Sequence, residues 1–184
     1  MWPDGTIEHL EERRARELVK VQRFHASGSP ITTIHYENGA PQQATVHGVH
    51  PQDIPLDGWV TWTLGDTELL LPATPNDRNE LLLSNARMSF VLDDAVNVMD
   101  GTVEQALLSN CACLLEDRVP VWVNGRVGVR FRLSYPHPHT PRISEVWAIP
   151  VGDLKTLYIA AIAEEVTTGP GALSIGRTVI SLLR

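Results

Sequence analysis

The sequence predicts an α+β domain: an antiparallel β-sheet with helices packed on its faces, plus an N-terminal helix and a peripheral hairpin. Three observations lead there. Asn-Gly and Gly-Asp dipeptides punctuate stretches rich in Val, Trp, Phe and Thr, which is the pattern of antiparallel hairpins. Two stretches, TVEQALLSNCACLL and GALSIGRTVISLL, carry apolar residues at helical spacing instead. The chain of 184 residues is long enough to close a core without a metal or disulfide, and its 43% hydrophobic and 20% charged composition excludes disorder.

Residues 6–25 read as a helix, because Ile7, Leu10, Leu18, Val21 and Phe24 fall near one face. Arg14 interrupts that face, and the Glu12–Arg16 spacing adds an i, i+4 pair. ASGSP (26–30) breaks the chain, and Asn38-Gly39 marks a hairpin that Pro41 assigns to an edge position. Division at about residue 58 follows: 1–58 as an N-terminal helix and edge-hairpin extension, 59–184 as the main domain. Deletion of residues 1–28 is then expected to leave a folded domain. The apolar stripe of the helix is expected to seek a surface elsewhere, a homodimer being the commonest answer.

WVTWTL and TELLLP pair about Gly65-Asp66, and Met88–Leu92 reads as strand. Residues 80–86 fit either strand or short helix. Thr102 and Gln105 form a capping-box pattern ahead of Val103, Leu107, Cys111 and Leu114. RVPVWV-NG-RVGVRFRLSY is the clearest hairpin, with Trp122 opposite Val127 and Val129, Phe131 and Leu133 continuing that face. ISEVWAIP and KTLYIAAIAEEV are two further strands. A last helix enters through TTGPG, with Pro170 in its first turn and Ala172, Gly176, Val179 and Leu183 as its core stripe.

Acidic residues outnumber basic ones by 22 to 15, a net charge of −7, which disfavours nucleic acid and anionic membrane surfaces as partners. No apolar run approaches a membrane span, and the first residues lack a signal pattern. On a helix Cys111 and Cys113 would point to nearly opposite sides and could not easily bridge or share a metal. With no signal and no disulfide, the expected compartment is the cytoplasm.

No nucleophile motif, Walker loop or zincin helix is present, and no cofactor or metal site is expected. His47, His50, His137 and His139 lie in Pro-rich loops, where convergence, with Asp53, would make a metal site and an enzyme the alternative reading. Arg126, Arg130 and Arg132 alternate on one strand face and cannot all be buried without partners. They form a solvated face, pair with acids of a neighbouring strand, or bind. Trp122 and Trp147 lie on neighbouring strands, and Trp with Arg is the combination that dominates interface hot spots. These five residues are the candidate binding set.

The order of TVEQALLSNCACLL, the VNGRVGVRF hairpin, SEVWAIP, KTLYIAAIA and a final helix ending in ISLLR resembles the PsbP/Mog1-like superfamily, with its DcrB-like and LpqN-like proteins, over about residues 59–184. The resemblance implies an antiparallel sheet with helices on its faces and a binding, assembly or chaperone-like role without catalytic residues. The expectation is therefore a non-enzymatic adaptor or chaperone for an unidentified protein partner, with a structural subunit of a larger assembly as a further alternative.

Overall fold

A computed structural model describes residues 8–83, 86–94, 97–136, 142–152, 154–163 and 170–183. It overturns the expected fold class: the chain is built mainly of antiparallel strands, with two short helices among the described residues. Among the described residues there is no N-terminal helix. Its residues form β1 (His9–Arg14) and β2 (Glu17–Phe24), joined at Ala15-Arg16. Both turn residues have positive φ, 50° and 76°, the conformation that Asn-Gly supplies elsewhere in the chain. Ala-Arg carries no such signature, so the turn was invisible in the sequence.

β1 and β2 continue through β3 (Pro30–Glu37), β4 (Ala40–Val46) and β5 (Gln52–Pro55) as a five-stranded sheet in sequential order. Asn38-Gly39 does make the β3–β4 turn, with φ 51° and 79°. The hairpin is not peripheral, since β3 is the middle strand and Ile34 is fully buried. Pro41 is tolerated because β5 pairs with β4 only from Gln43 to Val46, leaving the Pro41 segment singly paired.

The six-stranded sheet has the order β10 (Leu114–Val123), β11 (Arg126–Tyr135), β12 (Arg142–Val151), β13 (Lys155–Ala163), β9 (Ala86–Asp94), β8 (Glu80–Leu83). Of the ambiguous stretch, residues 80–83 and 86 are strand, and residues 84–85 lie outside the described residues. Trp122 faces Val127 across Asn124-Gly125, in the expected register. A two-stranded ribbon, β6 (Val60–Leu64) and β7 (Thr67–Leu71), turns at Gly65, whose positive φ suits the first central position of the turn. A Cβ at Gly65 would lie 2.6 Å from the terminal methyl Leu92 Cδ2, which would have to swing aside, so the positive φ is the stronger demand for glycine here.

Helix α2 (Pro170–Leu182) fills the space between the sheets. One side packs with Trp147, Ile159 and Ala161 of the six-stranded sheet and with Leu69 and Leu71 of the ribbon. Leu182 packs with Ile34, Ala44 and Leu56 of the other sheet. Thr32 Oγ1 donates to Ser181 Oγ at 2.6 Å, a buried clip from β3 to α2. The small-residue stripe has its use here: a Cβ on Gly176 would lie 2.7 Å from Trp147 Cη2. The Ala172 side chain and the TTG of the entry loop lie outside what is described.

Helix α1 (Thr102–Ser109) covers the opposite face of the six-stranded sheet, where Val98 and Val103 meet Val129, Phe131 and Val146. It is shorter than expected, and its capping box is absent. Asp100 takes that role by accepting from the Thr102 N–H at 2.9 Å and its hydroxyl at 2.5 Å. The helix ends because Ser109 Oγ and Asn110 Nδ2 both donate to Ala106 O, offering that carbonyl side-chain donors at the last turn. Cys111 and Cys113 consequently lie beyond the helix, with Cα atoms 5.2 Å apart, and are joined as a disulfide. The helical-face argument against a bridge fails for that reason, and with it one of the two grounds for expecting a cytoplasmic protein. Among the described residues, no helix is long and apolar enough to cross a membrane.

Candidate functional site

Strand alternation sends Arg130 and Arg132 of β11 to the same face of the sheet as Glu145 and Trp147 of β12, with Arg132 paired to Glu145 and Arg130 to Trp147. That face is the one under α2. The Arg residues therefore cannot be a solvated stripe, and the structure gives them carboxylate partners. Glu145, with no exposed surface, is the centre of the cluster. Arg177 of α2 donates from Nε to Oε2 at 3.0 Å and from Nη2 to Oε1 at 2.5 Å. Arg130 Nη1 and Arg132 Nη1 each lie 3.8 Å from Glu145 Oε1. Their outer partners are Asp117 Oδ2, 2.6 Å from Arg130 Nη2, and Glu116 Oε2, 3.3 Å from Arg132 Nε.

Three guanidinium groups thus meet three carboxylates, and the cluster is close to neutral. Charge pairing of this completeness is what allows Glu145 to stay buried. The exception is one donor: Arg130 Nε is buried without a hydrogen-bond partner, and so is Arg23 Nε. Both Arg side chains line a small crevice, about 40 Å³, between the two sheets, together with His25 and Trp147. That volume suits a water rather than a substrate. Burial pushes the His25 imidazole below its ordinary value, and the Arg130 and Arg177 charges push in the same direction.

The candidate binding residues are thereby divided. Arg130 and Trp147 share the crevice, with Trp147 only 2% exposed beneath α2, whereas Trp122 pairs with Val127 on the opposite face of the sheet and β11 separates its strand from that of Trp147. Arg132 opens instead onto a cleft of about 260 Å³ with His47, His50 and Arg177. Arg126 stands apart in the wall of a larger groove, about 960 Å³, between the β6–β7 ribbon and the Asn124-Gly125 turn. Thr61, Thr63, Asp66 and Glu68 line its ribbon side, and Val151 and Leu182 its other side.

Of the loop histidines, His47 Nε2 is 2.8 Å from Thr33 Oγ1, and Asp53 Oδ1 accepts from Thr45 Oγ1 at 2.7 Å. His137 and His139 lie outside the described residues. Among the described residues no three His, Cys, Asp or Glu side chains gather as a metal site.

Sequence reading missed Glu145, Arg177, Asp117 and His25. Glu145 was recoverable only with the β11–β12 register in hand. Arg177 interrupts an apolar helix, a signal that was present but not used.

No family model matches the chain, and no curated protein matches it. Solved structures similar to it include two of low sequence identity. One is PA94 from Pseudomonas aeruginosa, a protein of unknown function described as a candidate regulator, at 14% identity and a TM-score of 0.41, over 68% of this chain and 96% of that one. The other is LpqN, involved in cell envelope biogenesis of Mycobacterium tuberculosis, at 16% identity and a TM-score of 0.44, over 76% of this chain and 87% of that one. Membership of the PsbP/Mog1-like superfamily is not established by these likenesses, and no residue role follows from them.

Proposed function

We propose that the chain is a non-enzymatic protein-binding module whose groove takes an extended segment of a partner protein. The groove carries the reading. It is open, about 960 Å³, and walled by the ribbon and by the turn after β10. Its lining mixes threonine hydroxyls and turn backbone with the apolar Val151 and Leu182, which suits a peptide better than a small polar metabolite. Asp66 and Glu68 on the ribbon wall favour a segment that turns basic side chains toward the ribbon. The buried Arg cluster, its charges met internally, serves in this reading to fix β11, β12 and α2 behind the groove wall.

The test is capture from native lysate by the tagged full chain, compared with Thr63→Trp and Asp66→Arg, which fill the groove and reverse its charge at exposed positions. Proteins retained by the wild type and lost by both variants, at unchanged melting temperature, support the reading. Retention by all three proteins alike, or no enrichment over the tag alone, refutes it.

A further inference from the structure

We propose that Cys111 and Cys113 form a reversible thiol–disulfide exchange site for glutathione-type small thiols, with Cys111 Sγ the sulfur that is attacked. The bridge spans a single residue, so it closes the shortest loop but one that a chain can make. A loop this short constrains the unfolded chain little and adds correspondingly little to stability. The fold therefore does not depend on the bond, and opening it leaves both sheets and α2 in place.

The two sulfurs differ in surroundings. Cys113 packs against the buried cluster of Val98, Val103, Val129 and Phe131 on the α1 side of the core. Both cysteines are half-exposed, but Cys111 belongs to no hydrophobic cluster. Access by a thiolate in line with the S–S bond is thus better at Cys111, and Cys113 is the leaving sulfur. The incoming thiolate forms a mixed disulfide with Cys111, and the S–S electron pair goes to Cys113 Sγ, which takes up a proton. A second thiolate then attacks the mixed disulfide at the small-thiol sulfur. The net change is two thiols oxidised to one small-molecule disulfide and the protein disulfide reduced to two thiols.

The experiment equilibrates the full chain in glutathione buffers of varied ratio, quenches with a maleimide, and counts labelled thiols by mass. Two thiols appearing together and reversibly, with little change in melting temperature, is the expected result. Single variants then locate the reactive sulfur: Cys113→Ser, which keeps Cys111, should form the glutathione adduct roughly tenfold faster than Cys111→Ser. No intramolecular bridge under oxidised glutathione, or a bridge that excess dithiothreitol opens only in urea, overturns the site. Equal adduct rates overturn the assignment to Cys111.

Discussion

Arg177 of α2 holds Glu145 of β12 with two parallel N–H···O bonds, at 3.0 and 2.5 Å, beneath the surface of the protein. The pair ties the last helix to the middle of the six-stranded sheet. Its strength lies in what removal leaves behind. Arg177→Met strands a fully buried carboxylate whose remaining guanidinium neighbours are 3.8 Å away, and is expected to cost about 3 kcal/mol, the low end for a broken buried pair. Replacing both, as Glu145→Leu with Arg177→Met, should recover part of that loss. Urea midpoints of the two single variants and the double one decide it. A double variant as unstable as the sum of the singles would refute the coupling.

Gly125→Val isolates the backbone term at the β10–β11 turn. Gly125 has φ 74°, and a Cβ there meets nothing within 4 Å. No clash contributes, so the expected cost of about 1–2 kcal/mol is the left-handed conformation alone. Asn124→Gly, at a position that asparagine already tolerates with φ 54°, should stay within about 0.5 kcal/mol of the wild type. A Gly125→Val melting temperature equal to the wild type's would contradict the turn geometry.

The contrast between two turns explains what the sequence could convey. Asn124-Gly125 and Ala15-Arg16 adopt the same pair of positive φ values, yet only the first announces itself chemically. Once Ala15-Arg16 was unreadable, the apolar residues of β2 were free to fit a helical stripe by coincidence. The hairpins with Asn-Gly or Gly-Asp turns, and the β11 alternation, were legible for the opposite reason. The site was legible only as far as one strand extends. Alternation put Arg130 and Arg132 on a common face, but which face was buried depends on α2, and their partner Glu145 depends on inter-strand register.

Deletion of residues 1–28 is now expected to destabilise the chain rather than to spare it. The deletion removes β1 and β2, uncovers the edge of β3, and takes Val21 out of the interior. It also removes Arg23, which is paired with Glu8 at 3.1 Å and lies 3.5 Å from Leu183 O at the end of α2. Losing a whole strand pair with a part-buried ion pair should cost at least about 4 kcal/mol, roughly 10 °C in melting temperature for a chain of this size. Thermal unfolding of the truncated protein reads this directly. An unchanged, cooperative melt would mean that the first two strands fold apart from the rest.

His25 gives the stability a pH dependence of definite sign. The imidazole sits between the sheets, where burial, then Arg130 and Arg177, lower its pKa below 6.5, against weaker opposing effects of Glu145 and Asp117. The unfolded chain therefore binds a proton that the folded chain refuses. The stabilisation is full above the unfolded value, near 6.5, and is lost as the pH falls from there through the folded value. The lowered carboxyls of Glu12, Asp94 and Asp100 do not interfere, because their stabilisation is lost only below their ordinary values of 4.5 and 3.8. Urea midpoints between about pH 7.5 and pH 5.5 should thus fall with acid in the wild type and fall less in His25→Gln. Parallel slopes in the two proteins would show that the imidazole is not the group being titrated.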